Sequence, residues 1–247
     1  MITRPAGTGS SLARRVRTLG GTPLLLPGLS LRAVSDVDAA RAQWQQAQGD
    51  DLLIFTSPAA VRYATALTAL TALDTRAVVV ATGQGTSRAL LRHGVDAQVP
   101  TTRQDSEGVL ALPALQSLQG RRVALITAPD GRGLLQEQLA KRGATVREVH
   151  VYTRGAPRLN RRHIDAVMQL PSTACVLISS ADAMRHLLTL LPVAARDRLR
   201  RAVAVVSSDR IAELARLDGF SRVEMASSAH SEDLLAAACK ICSRTPH

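Results

Sequence analysis

Aromatic side chains are nearly missing from this sequence: one Trp, two Tyr and two Phe in 247 residues. Aromatic platforms on which bases stack are therefore not available in number, and specific single-strand nucleic-acid recognition is poorly supported. The core has to be built from Ala, Leu and Val, and 46% hydrophobic content is enough to build one. Cysteine is equally scarce, with three in all. Cys175 falls in an apolar strand, while Cys239 and Cys242 form a C-x-x-C at the end of the last predicted helix. Neither a second ligand pair nor a helix N-terminus accompanies them, so zinc and dithiol redox chemistry are not expected. The six histidines show no metal-ligand spacing, and no metal site is expected.

Long apolar runs are absent too. None approaches the roughly 18 residues that span a bilayer, and the opening MITRPAGTGSS lacks the apolar segment of a secretion signal. A cytoplasmic protein without a membrane association is expected. The glycines Gly83 and Gly85 are not followed by Gly-Lys-Ser/Thr and do not complete G-x-G-x-x-G, so nucleotide binding is not indicated. No G-x-S-x-G marks an acyl-transfer nucleophile. Any chemistry must rest on positioning and proton transfer.

What the sequence has in excess is positive charge, +11 with a pI near 11.1, which implies an anionic partner. Arg14-Arg15, Arg121-Arg122, Arg161-Arg162 and Arg198 to Arg201 read mostly as solvated helix faces. It also has a repeat. Residues 122–154 form a strand (Val123 to Ile126), a turn at Pro129-Asp130-Gly131, an amphipathic helix through Leu134, Leu135 and Leu139 ending at Gly143, and a second strand through Val146, Val149 and Val151. Met1 to Pro27 repeats that plan, with Thr3 and Pro5 standing 124 residues before Thr127 and Pro129. DLLIFTSPAAV pairs with ACVLISSADAM at 123, AVVVATGQGTSRALL with AVAVVSSDRIAELA at 124 (Thr86 with Arg210), and Ser106-Glu107 with Ser231-Glu232 at 125. Four segments in one order predict two similar lobes, each a doubly wound α/β unit on a parallel sheet. The two stretches PGLSLRAVSD and TRGAPRLN occupy equivalent positions and predict a pair of connectors. Spacing alone allows either a contiguous division near residue 120 or an exchanged one.

In open parallel sheets ligands sit beyond the carboxyl ends of the strands, against helix N-termini. Those ends carry Thr3-Arg4, Thr56-Ser57, Thr82 to Thr86, Ser179-Ser180 and Ser207-Ser208, a set suited to several carboxylates or phosphates. The plainer reading of each is a helix N-cap. Tyr152 follows a strand into a proposed hinge, where a phenol could donate a proton or simply pack with its hydroxyl satisfied.

Taken in order, TRP at 3–5, FTSPAAV at 55–61, TGQGTSRALL at 82–91, APDGRGLLQEQLAKRGATVREVHVYTR at 128–154, SSDRIAELARLDGF and SEDLLAA resemble the uroporphyrinogen-III synthase family over nearly the whole chain. The resemblance implies two α/β lobes joined by a two-stranded connector in the exchanged division: 1–28 with 160–247, 39–149, and connectors 29–38 and 150–159. It implies a cofactor-free lyase that converts hydroxymethylbilane, a linear tetrapyrrole with eight carboxylates, into uroporphyrinogen III. In that scheme the terminal hydroxyl leaves to give an azafulvene, ring D is attacked at its substituted carbon to give a spiro intermediate, and ring D ends inverted. By position, Tyr152 is implied as the catalytic residue, with Thr3, Arg4, Ser57, Gly83, Thr86, Ser180, Ser208 and Arg210 as substrate-binding positions. Arg210 stands where the counterpart of Thr86 is expected, which breaks the lobe symmetry but would suit a carboxylate. A monomer is expected, with a transient contact to the preceding pathway enzyme. The competing readings are a non-catalytic two-lobed binder of a small polyanion and a basic nucleic-acid-binding module.

Overall fold

In a computed structural model of the chain, residues 1–70, 76–101, 106–129 and 133–244 are described. In chain order the elements are α1 (Ser10–Thr18), β1 (Ser30–Ala33), α2 (Val37–Ala47), β2 (Leu52–Phe55), α3 (Pro58–Leu67), β3 (Val78–Ala81), α4 (Gln84–Leu91) and α5 (Ser106–Leu110). There follow β4 (Arg122–Thr127), α6 (Leu134–Lys141), β5 (Thr145–His150), β6 (Tyr152–Gly155), α7 (Arg161–Met168) and β7 (Cys175–Ile178). The chain ends with α8 (Ala181–Leu190), α9 (Val193–Arg200), β8 (Val203–Val206), α10 (Asp209–Leu217), β9 (Arg222–Met225) and α11 (Ser231–Arg244). The turn expected at Asp130-Gly131 lies outside the described residues.

The chain divides into two compact units, Leu31–Arg154 and Met1–Ser30 with Gly155–His247. It passes from one unit to the other along β1 and β6, which pair with each other as a two-stranded connector.

In the unit Leu31–Arg154 the sheet order is β3-β2-β4-β5, with every pairing parallel. Such strands lie between two helical layers and read as continuous apolar runs. Leu52, Leu53, Ile54 and Phe55 are accordingly all at or below 1% exposure. Leu53 and Phe55 join Trp44, Ala60, Val61, Ala64 and Leu90 on one face, whereas Leu52 and Ile54 join Val109, Leu115, Leu135 and Leu139 on the other. Each fully buried large side chain contributes roughly 1.5–3 kcal/mol. Trp44 packs edge-on against Phe55, ring centroids 5.9 Å apart.

The other unit has β7-β8-β9 in parallel, extended by Ile2, which bridges Leu177 on one side and Leu25 on the other. The first residues of the chain therefore complete a sheet made by its last third. The Leu177 N–H donates to the Met1 carbonyl at 2.9 Å and the Thr3 hydroxyl to the Leu177 carbonyl at 2.6 Å.

The ladders give the repeat its register. Ile2, Leu25 and Leu177 are placed as Leu125, Glu148 and Ile54 are, 123 residues apart in each case. Helix caps repeat with them: Ser57 accepts from the Ala60 N–H and Ser180 from the Ala183 N–H. Tyr63 on α3 donates to the Leu31 carbonyl at 2.9 Å, and His186, at the same turn of α8, lies 3.0 Å from the Gly28 carbonyl through Nδ1. Gly28 has no alternative at its position, because a Cβ there would come within 2.5 Å of the Ala183 Cβ.

The spacing grows by two residues at the next strand. Ile54 pairs with Val80 and Leu177 with Val205, and the following helices are capped by Gly83 and Ser208, so this part of the repeat runs at 125. Thr86 is consequently matched by Ile211, not by Arg210. Both matched side chains are buried, at 3% and 4%, whereas Arg210 is exposed like its counterpart Gly85. The expected Thr86–Arg210 equivalence is one residue out of register, and the matched pair is a buried threonine and a buried isoleucine.

Candidate functional site

In a sheet of order β3-β2-β4-β5 the chain leaves β2 toward one side and returns on the other, so the connections diverge between β2 and β4. Ligand crevices form at such points, beyond the carboxyl ends of the strands. Here that end is lined by three threonines. Thr56 Oγ1 is 3.0 Å from Thr127 Oγ1 and 3.1 Å from the Ile126 carbonyl, and Thr82 Oγ1 donates to the Thr56 carbonyl at 3.0 Å. These hydroxyls lace the strand ends together and set the next residue, Ser57, at the rim.

Ser57 is half-buried and N-caps α3, accepting from the Ala60 N–H at 3.0 Å. Its Oγ is also 3.1 Å from the Tyr152 hydroxyl. Tyr152 is 2% exposed, with its ring stacked on Tyr63 at 5.4 Å between centroids and 16° between planes. The only two tyrosines in the chain are thus partners. Arg154, two residues along β6, donates to the Tyr152 hydroxyl at 3.4 Å, and its guanidinium carbon is 5.9 Å from the ring centroid. A serine, a buried phenol and an exposed guanidinium are therefore aligned, residues 57, 152 and 154, and their hydrogen-bonding groups run in one chain.

Gly83 N-caps α4 in extended backbone, and Thr86, buried in its first turn, donates its N–H to the Gly83 carbonyl at 3.0 Å. Neither α3 nor α4 has an acidic residue in its first turn. Their N-terminal partial positive charge is therefore not offset by an acidic residue of the helix itself and favours an anion.

The other predicted residues lie in the second unit. The Thr3 hydroxyl is spent on the Leu177 carbonyl, across the strand pair that matches β2 and β4. Arg4 is half-buried and donates to the Ala229 carbonyl at 2.7 Å and to Ser231 Oγ at 3.4 Å, and burial lowers its pKa from the ordinary value. Ser180 caps α8, whereas Ser208 stands exposed at the start of α10 without a side-chain cap bond. Asp182 and Asp209 occupy the first turns of these two helices and offset their N-terminal charge. The structure thus gathers Ser57 and Tyr152 into direct contact, with Gly83 and Thr86 on the neighbouring strand-to-helix turn. Thr3, Arg4, Ser180, Ser208 and Arg210 it distributes over the strand ends of the other unit.

Sequence reasoning missed Arg154, Tyr63 and the threonine lacing. Its residue type does not set Arg154 apart from the chain's many other arginines, and only its place in β6, two residues along the strand from Tyr152, gives it a role. Among the described residues no group of three or more His, Cys, Asp or Glu is placed to hold a metal ion, and no helix is long and apolar enough to cross a membrane.

The family model described as Uroporphyrinogen-III synthase HemD matches residues 10–236. This chain belongs to the uroporphyrinogen-III synthase family. Among curated relatives it is 30% identical to the uroporphyrinogen-III synthase of Salmonella typhimurium over 96% of this chain and 98% of that one. The Escherichia coli enzyme is likewise 30% identical, with the same coverage. Among solved structures, a uroporphyrinogen III synthase of the extremely thermophilic bacterium Thermus thermophilus superposes with a TM-score of 0.59 at 22% identity, covering 99% of this chain and 100% of that one. A uroporphyrinogen-III synthetase of Helicobacter pylori gives 0.62 at 16% identity over 88% and 92%. These two likenesses speak to the fold: two α/β units on parallel sheets with a two-stranded connector are the family architecture.

Proposed function

We propose that this chain is a uroporphyrinogen-III synthase, a lyase that cyclises hydroxymethylbilane with loss of water and inversion of ring D, in haem biosynthesis. The observation that carries the chemistry is the Ser57–Tyr152–Arg154 alignment at the divergence point of the sheet. Departure of a hydroxyl needs a proton, and a phenol backed by a cation and coupled to a serine at the rim is built to deliver one. Tyr152 is the proton source of the site in this reading.

The substrate's eight carboxylates suit the +11 chain. Ser57, Gly83 and Thr86, and likewise Thr3, Arg4, Ser180, Ser208 and Arg210, are the substrate-binding positions of this reading. Thr3 and Thr86, being buried, contribute through backbone and shape, and the half-buried or exposed members contribute side chains. Uncatalysed closure gives the uninverted isomer I. A hundredfold preference for the inverted product needs about 2.7 kcal/mol of differential transition-state stabilisation, which positioned hydrogen bonds can supply. The domains follow the exchanged division: 1–28 with 160–247, 39–149, and connectors 29–38 and 150–159. The protein acts as a cytoplasmic monomer without a cofactor, takes neither nucleic acid nor membrane as partner, and contacts the preceding pathway enzyme transiently.

The rate at which hydroxymethylbilane disappears tests this against a purely binding role. Catalytic amounts of the chain are expected to shorten its lifetime in proportion to protein added. An unchanged or lengthened lifetime would leave the two-lobed polyanion binder as the better account.

A further inference from the structure

Tyr152 is 2% exposed as a residue, and its hydroxyl lies 3.1 Å from the more exposed Ser57 Oγ. Its hydrogen-bond partners limit where its proton can point. Arg154 can only donate, and it does so to the phenol oxygen. Either oxygen of the 3.1 Å Ser57–Tyr152 pair can donate, but among the described residues Ser57 Oγ is the one hydrogen-bond partner of the phenol that can accept, so directing the phenol O–H at Ser57 leaves no buried donor unsatisfied. Ser57 Oγ then receives two hydrogen bonds, from Tyr152 and from the Ala60 N–H, and both its lone pairs are occupied. The serine's own hydrogen is left over, on a half-exposed residue at the rim of the strand ends. The order of donation is Arg154 to Tyr152 to Ser57, and outward.

We infer that Ser57 is the catalytic residue that protonates the departing hydroxyl, and that Tyr152 is a positioning residue that acts through it. This deepens the synthase reading and rests on it. In the step, the bond between the terminal methylene carbon and its oxygen breaks and the electron pair leaves with the oxygen. The Ser57 hydroxyl proton passes to that oxygen, which departs as water, and the Tyr152 proton passes to Ser57. An azafulvenium cation and a tyrosinate facing Arg154 result. The proton that ring D releases on regaining its aromaticity returns along the same line to Tyr152, so no outside reagent is consumed. The matching serine of the other unit is not so equipped: Ser180 caps α8, but by the 123-residue register the position of Tyr152 is taken there by Leu29, which cannot donate. The repeat therefore carries this line once.

The test compares wild type with Ser57→Ala, Ser57→Thr, Tyr152→Phe and the double variant Ser57→Ala/Tyr152→Phe. Two substrates are used: hydroxymethylbilane and a bilane whose terminal hydroxyl is replaced by an acyloxy group, which leaves as a carboxylate without a proton. On hydroxymethylbilane, Ser57→Ala is expected to lose about a hundredfold in kcat, the lower end of what general acid catalysis contributes. Ser57→Thr, which keeps both hydroxyl and helix cap, loses less than Ser57→Ala, and the double variant is no slower than Ser57→Ala, because a serial line broken once is broken. On the acyloxy substrate all variants approach wild type, which a merely structural loss would not allow. Wild-type turnover in Ser57→Ala, multiplicative losses in the double variant, or no recovery on the acyloxy substrate overturns the relay while leaving the synthase reading intact. A wild-type chain that forms no isomer III sinks that reading and the relay with it. A readout independent of activity is the tyrosine hydroxyl proton in NMR spectra: the signal lost in Tyr152→Phe should exchange slowly in wild type and fast in Ser57→Ala, and slow exchange in both contradicts the assigned direction.

Discussion

Replacing Asp50 perturbs the end of the sheet opposite the site. Its side chain is 1% exposed, with Arg147 Nε 2.8 Å from Oδ2 and Arg122 Nε 3.7 Å from Oδ1. Arg147 is thus the nearer ionic partner and Arg122 the more distant one. Burial outweighs both arginines, and the Asp50 pKa is raised from 3.8. Breaking a fully buried ion pair costs about 3–5 kcal/mol, but these arginines, 31% and 54% exposed, can recover water. Asp50→Ala, which adds a small void, is therefore expected to cost about 2–3 kcal/mol and Asp50→Asn, which keeps the volume, about 1 kcal/mol. The pH dependence has a definite sign. With the folded pKa above the unfolded one, the folded chain binds the proton more tightly, so this contribution is complete below 3.8 and is lost as pH rises through the folded value. Wild type should thus gain on Asp50→Asn as the solution is acidified. Urea unfolding followed by the fluorescence of Trp44, the single tryptophan and fully buried in the same unit, measures the difference at each pH. A difference that is flat between neutral and acid pH, or that shrinks on acidification, refutes the argument.

Two smaller predictions concern the other unit. Thr3→Val removes the buried 2.6 Å bond to the Leu177 carbonyl and should cost about 1–3 kcal/mol, or roughly 2–4 °C of melting temperature for each kcal/mol in a chain of this size; an unchanged melting curve would mean that the first strand is not held there. Burial pushes the thiol of the half-buried Cys175 up to about 11, whereas Cys239 and Cys242 are exposed, so iodoacetamide at pH 8 should alkylate the latter pair first and Cys175 more slowly, as peptide mapping would show; equal rates at all three would contradict its raised pKa.

The repeat was legible because helix starts leave strong local marks. SerProAlaAla at 57–60 and SerAlaAspAla at 180–183 each put a capping hydroxyl three residues before an alanine N–H, and the structure uses both in that way. Register was not legible to the residue. Thr86 aligned with Arg210 by letters, yet parallel pairing of Val80 and Val205 with their neighbours moves the match to Ile211, since ladder bonds and burial decide equivalence and string similarity does not. The position of Tyr152 after a strand could be read, but its depth could not. Stacking on Tyr63 and contact with Ser57, 95 residues away in sequence, arise from packing that no local pattern encodes. Arg154 was hidden for the same reason among many arginines. The absence of acidic residues at the starts of α3 and α4 was in the sequence all along, and it acquires meaning only when both helices are seen to begin at one end of one sheet.

The central claim is that this chain directs ring D through inversion, and the isomer composition of the product tests it most directly. Hydroxymethylbilane is incubated with catalytic amounts of the protein, the porphyrinogens are oxidised, and the uroporphyrin isomers are separated by chromatography. The account predicts isomer III in at least about hundredfold excess over isomer I, the preference that about 2.7 kcal/mol provides. Isomer I alone, formed at the uncatalysed rate, would contradict it.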